Sequence, residues 1–133
     1  MKEMRSGAEI NVATWLEHNG IEYEYETHKV PYISVIKGGE CEKCGGRAVQ
    51  NRVYTPDFWF PDHGFYIEVK GRLTSSDRKK MRDVKRSNPT LDIRFLFVSN
   101  NKITPAKPER YSDWADKYGF PYCLRSVERS WFE

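Results

Sequence analysis

The sequence lacks the means to build a disulfide scaffold. Its three cysteines, Cys41, Cys44 and Cys123, are few and odd in number, which suits a reducing compartment. Long apolar runs are missing too. The longest, Phe95 to Val98, is far too short to cross a bilayer, and Met1 to Gly7 has no apolar secretion core. A soluble, cytoplasmic protein is the expectation. No internal repeat or long low-complexity segment divides the chain. A charge excess of one sign is nearly absent: 22 Lys and Arg face 19 Asp and Glu, for a net +3, too little to identify a polyanionic partner. With 133 residues, 38% of them hydrophobic and 14% aromatic, the chain has material for one ordinary core, so residues 1–133 are read as a single domain.

The pattern of elements is α/β. Ser6 and Glu9 have capping-box spacing, and Ala8, Val12, Trp15 and Leu16 recur at helical intervals up to Asn19-Gly20, which predicts a helix over 7–18. Ile21, Tyr23 and Tyr25 alternate with Glu22, Glu24 and Glu26 as in a half-buried strand. Val30 to Ile36 is extended and carries Pro31, fitting an edge or bridging strand. Residues 37–50 turn to glycine, cysteine and charge and read as an inserted loop. Strand character returns at 52–54, 58–60 and 65–70, the last two joined as a hairpin through Pro61-Asp62-His63-Gly64. A helix over 77–87, capped by Ser75 or Ser76, a strand over 91–98, a helix over 112–118 closed by Gly119, a strand over 122–124 and a helical turn over 127–132 complete a mixed sheet flanked by helices.

The chemistry concentrates in Pro56-Asp57, ten further residues, then Glu68-Val69-Lys70. Residues two apart on a strand share a face, so Glu68 and Lys70 project together while Ile67 and Val69 face the core, and the hairpin returns the pair towards Asp57. Two converging carboxylates suit Mg²⁺ or Mn²⁺, and a lysine beside them can orient or help deprotonate a water and offset transition-state charge. That is a sufficient set of parts for phosphodiester hydrolysis, with Glu9 the candidate for an extra carboxylate. The plain alternatives are a solvated strand face for Glu68 and Lys70, a turn for Pro56-Asp57, and a helix cap for Glu9.

Arg5-Ser6-Gly7-Ala8-Glu9, Glu22-Tyr23-Glu24-Tyr25-Glu26, Lys29-Val30-Pro31-Tyr32, Tyr54-Thr55-Pro56-Asp57-Phe58, Glu68-Val69-Lys70-Gly71, Asp77-Arg78-Lys79-Lys80 and Leu91-Asp92-Ile93-Arg94 follow the order found in phage endonuclease I. Over nearly its whole length the chain resembles that family of restriction-endonuclease-like nucleases with a PD-(D/E)xK site, which resolve Holliday junctions and other branched DNA. The resemblance implies Glu9, Asp57, Glu68 and Lys70 as catalytic residues. It also implies Asp57, Glu68 and Glu9 as Mg²⁺ or Mn²⁺ ligands, with the Val69 backbone carbonyl beside them. It further implies an intertwined, domain-swapped homodimer in which residues 30–36 bridge the halves, and each site takes its helix glutamate from one chain and the other three residues from its partner.

Arg78, Lys79, Lys80, Arg82, Lys85 and Arg86 place six cations in nine residues, offset only by Asp83, and are read as phosphate contacts or as an ordinary solvated face. The departure from the family is Cys41-Glu42-Lys43-Cys44-Gly45-Gly46-Arg47, which has the form of a zinc knuckle. Two cysteines do not close a zinc site. Cys123, His28 or the same loop of a second chain are the candidates to complete it, and a redox pair or two idle thiols are the competing readings. Cys123 itself reads as a packed small residue, and His18, His28 and His63 as ordinary surface residues. Trp15, Trp59 and Trp114 read as core or dimer packing. The remaining functional alternatives are a nuclease of the same superfamily with another target, such as a nicking, restriction or transposon-end enzyme, and a DNA-binding module without catalysis.

Overall fold

A computed structural model describes residues 4, 6–40 and 47–133. Its centre is a five-stranded mixed sheet in the order β1-β4-β5-β6-β7, from β1 (Glu24–Tyr25), β4 (Phe58–Phe60), β5 (Phe65–Lys70), β6 (Ile93–Phe97) and β7 (Tyr122–Leu124). β1, β4 and β5 pair antiparallel, while β5, β6 and β7 run parallel. A mixed sheet with helices is the coarse architecture the sequence predicts. Among the described residues no helix is long and apolar enough to cross a membrane.

Helices cover both faces, and strand alternation decides which side chain meets which helix. Helix α1 (Gly7–His18) presents Val12, Ala13 and Leu16 to Phe58, Phe60, Phe65, Ile67, Val69 and Leu96. On the other face α2 (Ser75–Ser87) and α3 (Tyr111–Tyr118) pack Met81, Val84, Trp114 and Ala115 against Tyr66, Phe95 and Phe97. β5 is central and covered on both sides, so Phe65 to Val69 are all buried and the face carrying Glu68 is not a solvated one. The chain ends in a 3-10 turn over Arg129–Phe132.

Local signals set the helix ends. Ser6 caps α1 by accepting the Glu9 N–H, and Gly119 closes α3 at a φ of 76° that glycine adopts without strain. The cap of α2 is Thr74, not Ser75 or Ser76. Thr74 and Asp77 form a reciprocal capping box, which starts the helix at Ser75, two residues earlier than the periodicity suggests. Similarly, the alternation at 21–25 marks packing more than pairing: Ile21, Tyr23 and Tyr25 lie against the α1-side core, but only two residues join the sheet.

A separate antiparallel ribbon is formed by β2 (Val30–Glu40) and β3 (Arg47–Tyr54). The stretch 37–50 expected as a loop is therefore strand up to Glu40 and again from Arg47. The pairings Val35 with Val49 and Glu40 with Arg47 set residues 36–39 opposite a single residue, a bulge where Gly38-Gly39 tolerate the irregularity. Cys41 and Cys44 lie outside the described residues.

The ribbon turns Val30, Tyr32 and Tyr54 into the core and leaves Ile33, Val49 and Val53 exposed. It is fastened to α2 by polar groups: the Ile33 N–H donates to Ser87 Oγ at 2.9 Å and Asn88 Nδ2 donates to the Pro31 carbonyl at 3.0 Å. Buried Asp83 accepts from Ser34 Oγ, Lys79 Nζ and Arg86 Nη2. Replacing Asp83 with Ala leaves two cations and a hydroxyl without their acceptor. Because both cations are partly exposed, the expected loss is modest, about 1–2 kcal/mol in urea denaturation; a variant as stable as the parent would show that the clamp contributes nothing.

Candidate active site

The end of β5 brings together residues far apart in sequence. Asp57 enters from the segment before β4, and its Oδ2 accepts the Val69 N–H at 2.8 Å, so the carboxylate is fixed to the strand that carries Glu68 and Lys70. Glu68 Oε1 accepts the Tyr54 hydroxyl at 2.7 Å and its Oε2 lies 3.4 Å from Lys70 Nζ. Lys70 Nζ in turn lies 3.3 Å from Asp77 Oδ1. Asp77 thus has two duties: one oxygen holds the lysine while the other caps α2. Val69 meets Asp57 through its N–H.

Glu9 reaches the site from the first turn of α1, where the helix dipole favours a negative charge. Its Oε1 accepts from Ser6 Oγ and its Oε2 from the Tyr25 hydroxyl, so the side chain is held from both sides. Carboxylate oxygens of Glu9, Glu26 and Asp57 lie within 4.8 Å of one another. Glu9, Asp57 and Glu68 are 7%, 5% and 7% exposed. The four residues singled out from the sequence therefore converge, and none sits on a solvated face.

The sequence reading missed Glu26, which it placed on the polar side of an alternating strand. Glu26 follows β1 with a φ of 53°, a left-handed conformation uncommon for a non-glycine residue, and its N–H donates to the Asp57 carbonyl at 2.9 Å. Tyr25, Tyr54 and Asp77 were missed as well. Tyr54 abuts the Pro56-Asp57 motif in sequence, but its pairing with Glu68 depends on the ribbon.

Burial, reinforced at Asp57 by neighbouring carboxylates, governs the electrostatics. Burial, then the Glu68 charge and further the Glu9 charge, push the Asp57 carboxyl from 3.8 up to about 8, against the Val69 hydrogen bond and Lys70. Burial also raises Glu68, opposed by Lys70 and Tyr54. Burial drives the Tyr54 hydroxyl well above its ordinary range, assisted by Glu68, so it remains a donor. At Lys70 burial acts to lower the pKa, but Glu68 and Asp77 outweigh it and the net shift is upward. Lys70 is therefore a firm cation. An oxygen-only cluster with more negative charge than its surroundings neutralise fits a hard divalent cation.

The six cations of α2 are spread over different tasks. Arg78 donates to the Leu73 carbonyl, Lys79 and Arg86 to Asp83, and Lys85 to the Gly119 carbonyl. Arg82 lies over the Tyr118 ring, and Lys80 lies over the Tyr54 ring. Of the residues considered as completing a zinc site, Cys123 is buried in β7 with its thiol pushed up to about 12 by burial, and His28 is hydrogen-bonded to the Tyr66 hydroxyl with its ring tilted against Trp59. A neutral thiol within the sheet is not placed to bind zinc. His28, expected as an ordinary surface residue, is half-buried in an aromatic contact, whereas His18 ends α1 and His63 occupies the β4–β5 turn.

A pH dependence follows from the raised Asp57 carboxyl. The folded chain holds this proton more tightly than the unfolded chain, so the stability it contributes is complete below about pH 4 and is lost as the pH rises towards 8. In the presence of chelator, the unfolding midpoint is expected to fall between roughly pH 5 and pH 8, and Asp57→Asn to flatten that slope. An identical slope in both proteins would show that burial and neighbouring charge do not raise the Asp57 carboxyl.

A family model described as phage endonuclease I matches residues 1–133. Endonuclease I of Escherichia phage T7 is 35% identical over 130 residues, covering 97% of this chain and 78% of that protein. Endodeoxyribonuclease 1 of Enterobacteria phage T3 is 35% identical over 127 residues, covering 95% and 74%. With a match along its whole length and the motif carboxylates gathered at one strand end, the chain belongs to the phage endonuclease I family.

Proposed function

We propose that this chain is a metal-dependent endodeoxyribonuclease that cuts four-way and other branched DNA. The observation carrying the reading is the convergence of Glu9, Asp57, Glu68 and Lys70 from α1, the β4 entrance and β5. Asp57 and Glu68, with Glu9 and Glu26 beside Asp57, are the residues to hold Mg²⁺ or Mn²⁺. The ion, when bound, supplies Lewis acidity for an attacking water and for the leaving oxygen.

The protein's own groups prepare the rest. The Val69 N–H and the Tyr54 hydroxyl fix Asp57 and Glu68 in rotation before substrate arrives, which lowers the reorganisation needed during reaction. Lys70 acts as a charge and hydrogen-bond donor and not as a base, because its two carboxylate neighbours keep it protonated. Glu9 faces Asp57 from the α1 side and closes the carboxylate cluster.

A homodimer is the second part of the proposal. Ile33, Val49 and Val53 leave an apolar row on the ribbon of the kind that a second copy covers, and residues 30–36 are the bridging segment. In the single chain, Glu9 meets its own Asp57. Exchange of α1 between two copies would preserve that contact while placing its halves on different chains. Two sites related by a two-fold axis supply paired cuts on the symmetric strands of a junction, with selection by branch shape and phosphate position. Cys41 and Cys44 of each copy, brought together, would give four thiolates for structural zinc. The setting proposed is the cytoplasm of an infected bacterium.

Cleavage of a synthetic four-way junction is compared with its matched linear duplex, in Mg²⁺ and in chelator, for the parent and Asp57→Ala. Paired nicks in the junction, made only by the parent and only with metal, are expected. Equal cutting of linear duplex would replace junction selectivity with another nuclease activity, and binding without cutting would leave a DNA-binding module.

A further inference from the structure

The six cations of α2 are not equivalent. Arg78, Lys79, Lys85 and Arg86 each donate to a carbonyl or carboxylate of the fold, and Arg82 is held at Tyr118 by its ring and its hydroxyl. Lys80 differs in where it points. Its ammonium lies 5.2 Å from the centroid of the Tyr54 ring, and the Tyr54 hydroxyl is bonded to Glu68. Among the described residues no carboxylate or carbonyl takes a hydrogen bond from it.

Helical spacing explains the placement. Lys80 is three residues after Asp77, so the two share the α2 face that looks at the end of β5. Asp77 uses that position to hold Lys70, and Lys80 extends over the aromatic ring that supports Glu68. Lys70 is enclosed by two carboxylates, which neutralise it before any phosphate arrives. Lys80 remains a half-buried point charge beside the carboxylate cluster, able to turn its three donors to an oxyanion.

We propose that Lys80 is a further catalytic residue, contacting a non-bridging oxygen of the scissile phosphodiester, while the other α2 cations chiefly hold the fold. The proposal rests on the endonuclease reading given above and assigns a specific task to one residue of a run that composition treats as uniform. Its contribution is electrostatic: the Lys80 ammonium lies near the phosphorus centre as negative charge accumulates on the equatorial oxygens.

The experiment compares parent, Lys80→Gln, Lys80→Arg and Lys107→Gln, the last removing one exposed cation from the segment between β6 and α3. Three quantities are read: junction affinity in chelator, single-turnover cleavage in Mg²⁺, and the unfolding midpoint. Lys80→Gln is expected to slow cleavage by about 100-fold or more, the scale of losing one transition-state donor, with an unchanged midpoint. Its junction affinity should stay within about threefold of the parent, since one phosphate contact among many is lost. Lys80→Arg is expected to recover most of the rate, and Lys107→Gln to match the parent. Cleavage by Lys80→Gln within about threefold of the parent, or an equal fall in affinity and rate, overturns the proposal. A parent protein that leaves the junction intact instead overturns the endonuclease reading, an outcome distinct from a cutting parent matched by Lys80→Gln.

Discussion

The site depends on the carboxylate of Asp57 accepting the Val69 N–H, a 2.8 Å bond that joins the entrance of β4 to the end of β5. It brings a buried carboxyl towards Glu68 and Glu9, where burial first and then the charges of those two neighbours oppose its ionisation. Folding therefore retains a local conflict and uses the surrounding core to contain it. Such conflict belongs where a cation is to be received, because a site already neutral has little to gain from binding one.

Around that bond the donors act in matched pairs. The Tyr25 hydroxyl holds Glu9 and the Tyr54 hydroxyl holds Glu68, one from each side of the sheet. Asp77 performs the equivalent service for Lys70 while capping α2, so the start of the basic helix and the orientation of the lysine are set by one side chain. The helix ends are thus part of the site's construction. The ribbon is coupled to it as well, since Tyr54 terminates β3 and β2 is fastened to α2 through Asp83 and Ser87.

Charge on α2 shows how composition misleads when taken as a unit. Six cations in nine residues read as one phosphate-binding surface, yet Asp83 is buried beneath two of them and carbonyls accept from two others. Much of the apparent excess serves to bind the ribbon and the turn at Gly119 to the helix. What remains for a polyanion is defined by direction more than by number.

Features governed by short-range rules are legible in the amino-acid order alone. Ser6 and Asn19 bound α1, the hairpin of β4 and β5 brackets its turn, Gly119 ends α3, and the Asp57, Glu68 and Lys70 spacing marks the chemistry, because capping, alternation and turn preferences act within a few residues. The partners of the site residues came from packing in three dimensions. Glu26 joins Glu9 and Asp57, Tyr54 reaches Glu68, and Cys123 is shut within the sheet through packing across long stretches of chain, which no local periodicity encodes. Strand pairing likewise overrode the local appearance at Glu40, Arg47, Val49 and Gln50, where the surrounding glycine and charge suggest a loop but each residue has a partner on the opposed strand.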